Sequence, residues 1–434
     1  MSTRRREVTA AAGSGPLSPP GNPPRPCGAN VCLDGHKPQC YKRVMSSASK
    51  TPGADRKSAP RQSAAAGLRV FHGPKNITGI GRYLADWQRA HGARADFIVY
   101  SDDTTRQNSH RNLHLERRGA LGAAFAKLVF FFTCLGRYDV FHFYFGESLL
   151  SVGLKRWFPF NVDLPILKML GKKIVMTYCG SDIRLHEVEL RRNPYAHLIA
   201  DVGKFGASYD RRKRRRMWWQ GLFVDRFTAV RNLYAHAVTV IPPRKIERSI
   251  EVNTTVDTSA YVPKGYTTKD VPTIIHAPSS PKFKGTEYIE EAIAELERRG
   301  YKFEYRRLRG VPNDEAHRIY REEADIIVDQ LLGGGFGTLA VEGMYYGRPV
   351  CCYLIDEIYQ IYPDCPIVNC NVDNFRDKLA WLIDRPEERI RLGAEGRAFV
   401  EKHFSRDEVN RKVWELYHEL MGGRRRWASS RLEE

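Results

Sequence analysis

Short apolar segments alternate with amphipathic ones along the chain from Gly67 onward. Residues 68–72 are typical of a short strand, and residues 81–90, with Leu84 and Trp87 in register, predict a helix. Further strands are predicted at residues 96–100, 138–145, 173–178 and 237–241. Strands that alternate with helices indicate a parallel sheet covered on both faces.

The alternation begins again near residue 272. Apolar residues at i, i+3, i+4 and i+7 predict a helix that Thr286 caps and Gly300 ends. Another helix opens at Asn313, and a third runs from a glycine-rich loop to Gly347. The strands of this half are predicted at residues 272–277, 301–308, 324–328 and 349–354.

These patterns predict an α/β protein with two Rossmann-like, doubly wound domains that face a cleft. The domains are expected at residues 67–255 and 256–410, and residues 411–434 are expected to form a C-terminal helix and a basic tail. A chain of 434 residues is long enough for two domains of ordinary size.

Residues 1–66 differ in composition from the rest. They are rich in Ala, Ser, Pro, Gly and Arg and lack apolar periodicity, so we predict a disordered extension. An organelle transit peptide is the alternative, against which the many prolines count. The extension carries part of the formal net charge of +19, and a positive field attracts diphosphates, anionic lipids and acidic glycans as well as nucleic acid.

No run of about 18 uncharged apolar residues occurs, so the sequence predicts no membrane-spanning helix. The nearest candidate, residues 121–135, contains Lys127, and we interpret it as a buried helix. The cysteines indicate no disulfide framework, which favours a reducing, cytoplasmic location. Cys27, Cys32 and Cys40, in the extension, lack a histidine at zinc-finger spacing. Cys351 and Cys352 follow a turn and are typical of a buried strand.

Six basic residues in succession, at 211–216, precede Met217, Trp218 and Trp219. A solvated helix face is one interpretation, and contact with an anionic membrane surface, which would make the protein peripheral, is the other. No recognised nucleic-acid-binding module accompanies the stretch, so a nucleic-acid partner is not expected.

Two loops carry the candidate chemistry. In the first, a run of glycines and Gly337 lead from a strand into a helix, which suits a diphosphate because backbone N–H groups and the helix dipole face the ligand. Glu342, in that helix, is placed to accept hydrogen bonds from hydroxyls. The alternative is a tight turn followed by a solvated glutamate. In the second loop, residues 277–286, Lys282 and Lys284 place positive charge at a helix start, where a cation needs an anion.

The order of these elements resembles the C-terminal domain of retaining GT-B glycosyltransferases, and glycosyltransferase family 4 in particular. The resemblance is good from about 270 to 410. Its motifs are Lys-Gly-Thr at 284–286, Ala-Asp-Ile-Ile-Val-Asp-Gln at 324–330, Ala-Val-Glu-Gly-Met at 340–344, Gly-Arg-Pro-Val at 347–350 and the closing helix around 393–401.

This resemblance implies that Lys284 meets the donor phosphates and that Glu342 matches the second glutamate of the family's pair. Gly334 stands where the first glutamate is expected, and serines replace an arginine before the lysine. The implied donor-binding residues are Ser279, Ser280, Lys282, Gly335, Phe336, Gly337 and Thr338.

The N-terminal half resembles the family less closely. Gly79 and Gly81 match its first glycine-rich loop, and residues 178–182 match a motif in which Cys179 replaces a histidine before Gly180. Asp182 either binds a sugar hydroxyl or caps the helix that follows. His142 is interpreted as a core histidine.

The resemblance implies transfer of a sugar from a nucleoside diphosphate sugar to a glycan, lipid or small-molecule acceptor, with retention and without a cofactor. No Asp-X-Asp pair occurs, so we expect no metal. A nucleotide-sugar epimerase or hydrolase on the same fold and a non-catalytic binding protein are the alternatives.

Overall fold

The structure is a computed structural model. It describes residues 67–77, 79–101, 109–151, 160–199, 207–229, 233–258 and 269–422. The prediction of a disordered extension at 1–66 and the basic end of the tail lie outside these residues.

The first half of the described chain forms a seven-stranded parallel sheet with the order β3-β2-β1-β4-β5-β6-β7. Its strands are β1 Arg69–Gly73, β2 Arg94–Val99, β3 Arg111–Asn112, β4 Val140–Tyr144, β5 Lys173–Tyr178, β6 Arg226–Ala229 and β7 Ile246–Glu247. The central strands are buried on both faces, as their continuous apolar character predicts.

Helices cover both faces of this sheet. On one face, apolar residues of α2, α3 and α5 share a core with the strands. On the other, α1 packs with the last helix, α14. The helices of this half are α1 Ile80–Ala90, α2 Ala120–Leu135, α3 Asp163–Met169, α4 His186–Arg192, α5 Ala207–Phe223 and α6 Tyr234–Ala237.

The second half forms a five-stranded parallel sheet with the order β12-β11-β10-β8-β9. Its strands are β8 Thr273–His276, β9 Glu304–Arg307, β10 Ile326–Val328, β11 Val350–Cys352 and β12 Val368–Asn369. Its helices are α7 Pro281–Lys284, α8 Thr286–Arg298, α9 Asn313–Glu322, α10 Thr338–Tyr345, α11 Asp356–Ile361, α12 Phe375–Ile383 and α13 Pro386–Phe404. Two cores, one on each face, hold these helices to the sheet.

The chain then returns to the first sheet through α14 Arg406–Leu420. Tyr417, on this helix, is buried, and its hydroxyl lies 2.6 Å from His142 Nδ1 on β4. Two doubly wound parallel sheets confirm the predicted fold class, whereas the predicted domain boundaries stay predictions.

The strand predicted at residues 237–241 is wrong. Residues 234–237 form α6, and the N–H groups of Val240 and Ile241 donate to Ala237 O in a local turn. The apolar residues of this segment pack into the core instead of joining the sheet. The strand that pairs with β5 is β6, Arg226–Ala229, which precedes the predicted segment.

The predicted cap by Thr286 is also wrong. Gly285, with φ of 74°, is the N-cap of α8, and Thr286 is its first residue. The Thr286 hydroxyl lies 2.9 Å from Nε2 of the buried His276.

Residues 121–135 form a helix, but the prediction that it is buried is wrong. Phe130, Phe131 and Cys134 of α2 are buried, whereas Leu121, Phe125 and other large apolar residues are exposed. Among the residues described, no helix combines the length and apolar character needed to cross a membrane.

Candidate functional site

The loops after β8 and β10 flank the point at which the second sheet changes direction. β8 and β10 are neighbours, while β9 lies on one side of them and β11 and β12 on the other. In open α/β sheets, ligands bind at such a switch point, outside the carboxyl ends of the strands. Both loops that the sequence singled out therefore lie where a ligand site is expected.

The two loops meet at a buried carboxylate. Asp329, directly after β10, is fully buried and accepts a hydrogen bond from Lys284 Nζ at 2.5 Å. Its second oxygen accepts the backbone N–H of Gly337 at 2.7 Å. A Cβ atom at Gly337 would lie 3.1 Å from Lys284 Nζ, so the ammonium is next to the start of α10.

This pairing corrects one part of the argument for Lys284. A cation at a helix start needs an anion, which the sequence alone suggests is external, but Asp329 supplies that anion from within the chain. An ammonium has three N–H donors, and Asp329 accepts one of them. Contact of Lys284 with phosphates stays a prediction.

Asp329 is a residue that the sequence reasoning missed. The signal was present, because an acidic residue directly follows the Ile-Ile-Val strand, shortly before the glycine-rich loop. Only the fold shows that its partners come from two separate loops, at positions 284 and 337.

The glycine-rich loop has little room for side chains. Gly334 has φ of +66°, and a Cβ there would lie 2.9 Å from Ile355 Cγ2. A Cβ at Gly333 would lie 2.4 Å from Gln330 Oε1. A glutamate at position 334 would thus be strained and would meet packed side chains.

The other predicted donor residues lie around this loop. Ser279 and Lys282 are exposed and Ser280 is half-buried, whereas the Phe336 ring packs against Tyr362 and Phe404. The Phe336 side chain therefore belongs to the core, and contact of its backbone with a donor stays a prediction. Thr338 opens α10 directly after Gly337, and Gly335 O lies 3.8 Å from Cys352 Sγ.

Glu342 lies on α10, and its Oε1 is 3.5 Å from His317 Nε2. Burial lowers the pKa of His317 to about 4, so the imidazole is neutral at pH 7. The negative charge of Glu342 also contributes to the raised pKa of Tyr83, behind the larger effect of burial. Tyr83 belongs to α1, so the charge of Glu342 acts on the helix that follows Gly79.

Segment 184–199 of the first half contacts the loops of the second. Asn193 Nδ2 donates to Leu332 O at 2.7 Å. Arg192 forms an ion pair with Glu357 at 2.9 Å, and the Arg184 guanidinium lies 5.3 Å from the centre of the Phe283 ring. These contacts are set by tertiary structure, and the sequence reasoning missed them.

The first sheet has its own change of direction, between β1 and β4. The loop after β1 leads to Gly79, the N-cap of α1 with φ of 74°. Gly81 has a packing role, because a Cβ there would lie 2.4 Å from Phe97 Cδ2. The loop after β4 was missed, and it holds Phe145 and Gly146 with φ of 58° and 66°.

Asp182 is buried and holds its own turn. Its carboxylate accepts the N–H of Gly180 at 2.7 Å and the N–H of Cys179 at 3.2 Å. The alternative in which it caps the next helix is wrong, because Asp210 accepts the N–H groups of His186 and Glu187 at the start of α4. Burial raises the pKa of Asp182, and the charge of Arg216 opposes the rise.

The basic stretch 211–216 lies within α5, but it is not a uniformly solvated face. Lys213 and Arg216 are buried and donate to Arg184 O and Asp182 O, each at 2.5 Å. Burial lowers the pKa of Lys213 to about 8. Arg211, Arg212 and Arg215 are exposed. Two of the six basic residues therefore support the turn at Asp182 and cannot reach a membrane.

His142 is a core histidine, as predicted. It is fully buried, and its ring nitrogens lie 2.6 Å from Tyr417 Oη and 2.7 Å from Thr177 Oγ1. Cys351 and Cys352 are buried in β11, also as predicted. Within the described ranges, no group of three or more His, Cys, Asp or Glu residues is arranged to hold a metal ion.

No protein-family profile matches this chain, and no curated protein matches it in sequence. Solved structures match its shape. A glycosyltransferase from Rickettsia africae is 14% identical, with 82% of this chain and 98% of that chain covered and a TM-score of 0.53. HepE from Anabaena, in complex with UDP, is 12% identical over 81% and 99% of the two chains, with a TM-score of 0.52. Sucrose-phosphate synthase from Thermosynechococcus elongatus is 13% identical over 82% and 99%, with a TM-score of 0.57.

At these identities the likeness shows the fold. The two parallel sheets of this chain have the GT-B arrangement that the sequence predicted, and the match extends over nearly the whole of each neighbour.

Proposed function

We propose that the protein transfers a sugar from a nucleoside diphosphate sugar to an acceptor hydroxyl. The observation that carries this proposal is the meeting of Lys284 and the Gly337 backbone at the switch point of the second sheet. A fixed cation beside a helix N-terminus suits a diphosphate. The UDP complex of the neighbour HepE, which shares the fold, supports a nucleotide ligand.

In this proposal, Lys284 and the N-terminus of α10 stabilise the charge that develops on the departing diphosphate. Asp329 acts as a positioning residue, because its carboxylate accepts hydrogen bonds from both Lys284 and the Gly337 N–H and so fixes their positions. Glu342 accepts hydrogen bonds from ribose or sugar hydroxyls. The phosphate contacts come from the chain itself, so we infer a metal-independent reaction.

The bond changes are those of glycosyl transfer. The bond between the anomeric carbon and the diphosphate oxygen breaks, and a bond from the same carbon to the acceptor oxygen forms. The acceptor proton goes to the departing diphosphate. We infer retention, with the acceptor entering on the side of the loops after β1, β4 and β5, where Gly79, Cys179 and Gly180 lie.

Titration calorimetry with UDP, ADP and GDP tests the donor site. The variant should be Lys284→Gln rather than Lys284→Ala, because glutamine keeps a donor for Asp329 while removing the charge. One charge-assisted hydrogen bond contributes about 1.5–3 kcal/mol, so the affinity for the nucleotide that binds should fall about tenfold to a hundredfold.

Lys302→Gln, which alters an exposed lysine after α8, is the matched control and should leave the affinity unchanged. Equal affinity of wild type and a folded Lys284→Gln variant would remove Lys284 from the donor site. Conversion of the bound nucleotide sugar without any acceptor would instead favour an epimerase or a hydrolase. Binding without turnover across an acceptor panel would favour a binding protein.

A further inference from the structure

The α2 helix carries a stripe of large apolar side chains on its outer side. Leu121, Phe125 and Phe132 are 88%, 70% and 61% exposed, and Leu128 and Val129 are also exposed. Their spacing of 4, 7, 8 and 11 residues from Leu121 places them on one face of the helix. Several large apolar side chains exposed together on one helix face are typical of an interaction site.

The opposite side of the same helix is its core side. Phe130, Phe131 and Cys134 are buried against β4 and its neighbours. The helix is thus apolar all round, and the first sheet covers only part of it. The one charged residue of α2, Lys127, lies 5.1 Å from the centre of the Tyr100 ring, so it does not interrupt the stripe.

Two other helices on the same face of the sheet also expose apolar residues. The sheet order places α3 and α5 on the same face as α2, since all three connect strands that follow one another in the same direction along the sheet. On that face α3 ends in the exposed Met169 and Leu170, and α5 presents the exposed Trp218 and Leu222. An amphipathic tryptophan is typical of the membrane–water interface.

Exposed arginines lie at the start of α2, where the exposed Glu116 precedes them, and on α5. Arg117 and Arg118 are exposed just before α2, and three exposed arginines lie on α5, namely Arg211, Arg212 and Arg215. No acidic residue occurs in α2 itself. Apolar side chains bordered by arginines complement a bilayer whose headgroups are anionic.

We propose that this face, which we call the α2 face, docks on an anionic lipid bilayer with α2 lying in the plane of the interface. A helix of 16 residues is about 24 Å long, shorter than the hydrocarbon core of about 30 Å, so it lies on the membrane and does not span it. The inference is independent of the proposed reaction. It moves the membrane contact from the basic stretch of α5 to the apolar residues of α2, with the exposed arginines of α5 at its rim.

The test is co-sedimentation of the full-length protein with vesicles of phosphatidylcholine alone and of phosphatidylcholine with phosphatidylglycerol. Wild type should bind the mixed vesicles and bind less as salt rises. The variant L121S/F125S/F132S keeps every charge, including those of the basic extension, so any electrostatic binding by the extension is the same in both proteins. Removal of three inserted side chains should weaken binding to the mixed vesicles at least about tenfold.

The matched control replaces three large exposed apolar residues outside the α2 face, V271S/I390S/M421S, and should bind as wild type does. Because all six positions are exposed, both variants should keep the wild-type melting temperature. Equal vesicle binding by wild type and the α2 variant would overturn the proposal. So would a wild-type dimer that the α2 variant converts to a monomer, because a second copy would then cover the stripe.

Discussion

The carboxyl edges of the two sheets each hold a buried aspartate, but the two residues are used differently. Asp182 follows β5 by four residues and accepts N–H groups of its own turn, with Arg216 and Lys213 packed beneath it from α5. Asp329 follows β10 directly and accepts one hydrogen bond from each of two separate loops. Asp182 therefore stabilises a single local turn, whereas Asp329 connects two loops on either side of the switch point of the second sheet.

The difference shows that an acidic residue after a parallel strand is not by itself evidence of a site. Its partners decide the role. Around Asp182, basic and acidic side chains neutralise one another, as in the buried pair of Arg184 and Glu189 at 3.1 Å. Around Asp329, a single lysine is held next to the start of α10, and its contact with a ligand stays a prediction.

The largest effect is expected at Asp329. Asp329→Ala leaves Lys284, whose side chain is 14% exposed, without its carboxylate and leaves the Gly337 N–H without its acceptor. Breaking a buried pair in this way should lower the free energy of unfolding by about 3–5 kcal/mol. Denaturant melts of wild type and Asp329→Ala measure this difference in the free energy of unfolding. The double variant Asp329→Ala, Lys284→Ala should recover part of the loss, since it removes the unpaired charge. A loss below 1 kcal/mol in the single variant would mean that the pair contributes no more than a surface ion pair.

A second effect depends on pH and concerns the buried Arg184–Glu189 pair near Asp182. Burial alone would raise the pKa of Glu189, but the charge of Arg184 together with the contacts of His236 and Asn193 outweighs burial and lowers the pKa to about 2. A lowered folded-state pKa means that the stabilisation is present above the unfolded value near 4.5 and is lost as pH falls toward 2. That difference corresponds to about 3 kcal/mol.

The measurement is the free energy of unfolding of wild type and Glu189→Gln between pH 7 and pH 2. The advantage of wild type should shrink below pH 4.5. Nucleotide affinity at pH 7 should be the same in both, because Glu189 belongs to the cluster of the first sheet. A constant difference across the whole pH range would show that Glu189 does not titrate as the structure implies.

The sequence predicted the second half better than the first for a physical reason. Its loops use local signals, such as glycines with positive φ and a lysine beside a helix start, and these need no knowledge of distant residues. Gly334, with φ of +66°, and Gly337, the N-cap of α10, lie in the strand-to-helix loop that the pattern predicted. The partner of Lys284 is 45 residues away in sequence, so local reasoning inferred an external anion in its place.

The errors in the first half share a cause, since tertiary packing overrode local preference. The apolar run at 237–241 packs as a turn, the apolar α2 exposes its outer side, and the basic run in α5 turns two residues inward. Composition reports whether a segment is apolar or charged. It does not report which of its sides the neighbouring elements cover.

The smallest of the three effects is expected at Glu342, and it separates a ligand contact from a structural one. Glu342→Gln keeps the shape of the side chain beside His317, so the free energy of unfolding should change by less than about 0.5 kcal/mol. Turnover of the donor should fall about tenfold, because a neutral amide accepts a weaker hydrogen bond from a sugar hydroxyl than a carboxylate does. Glu291→Gln, on the exposed side of α8, is the control and should keep full turnover.

The comparison between the two edges predicts that the loss appears in turnover with little change in stability, the reverse of what is expected at Glu189. A Glu342→Gln variant that melts earlier but turns over normally would assign Glu342 to the packing of α10 and α9 and would leave Lys284 and Gly337 as the whole of the proposed donor site.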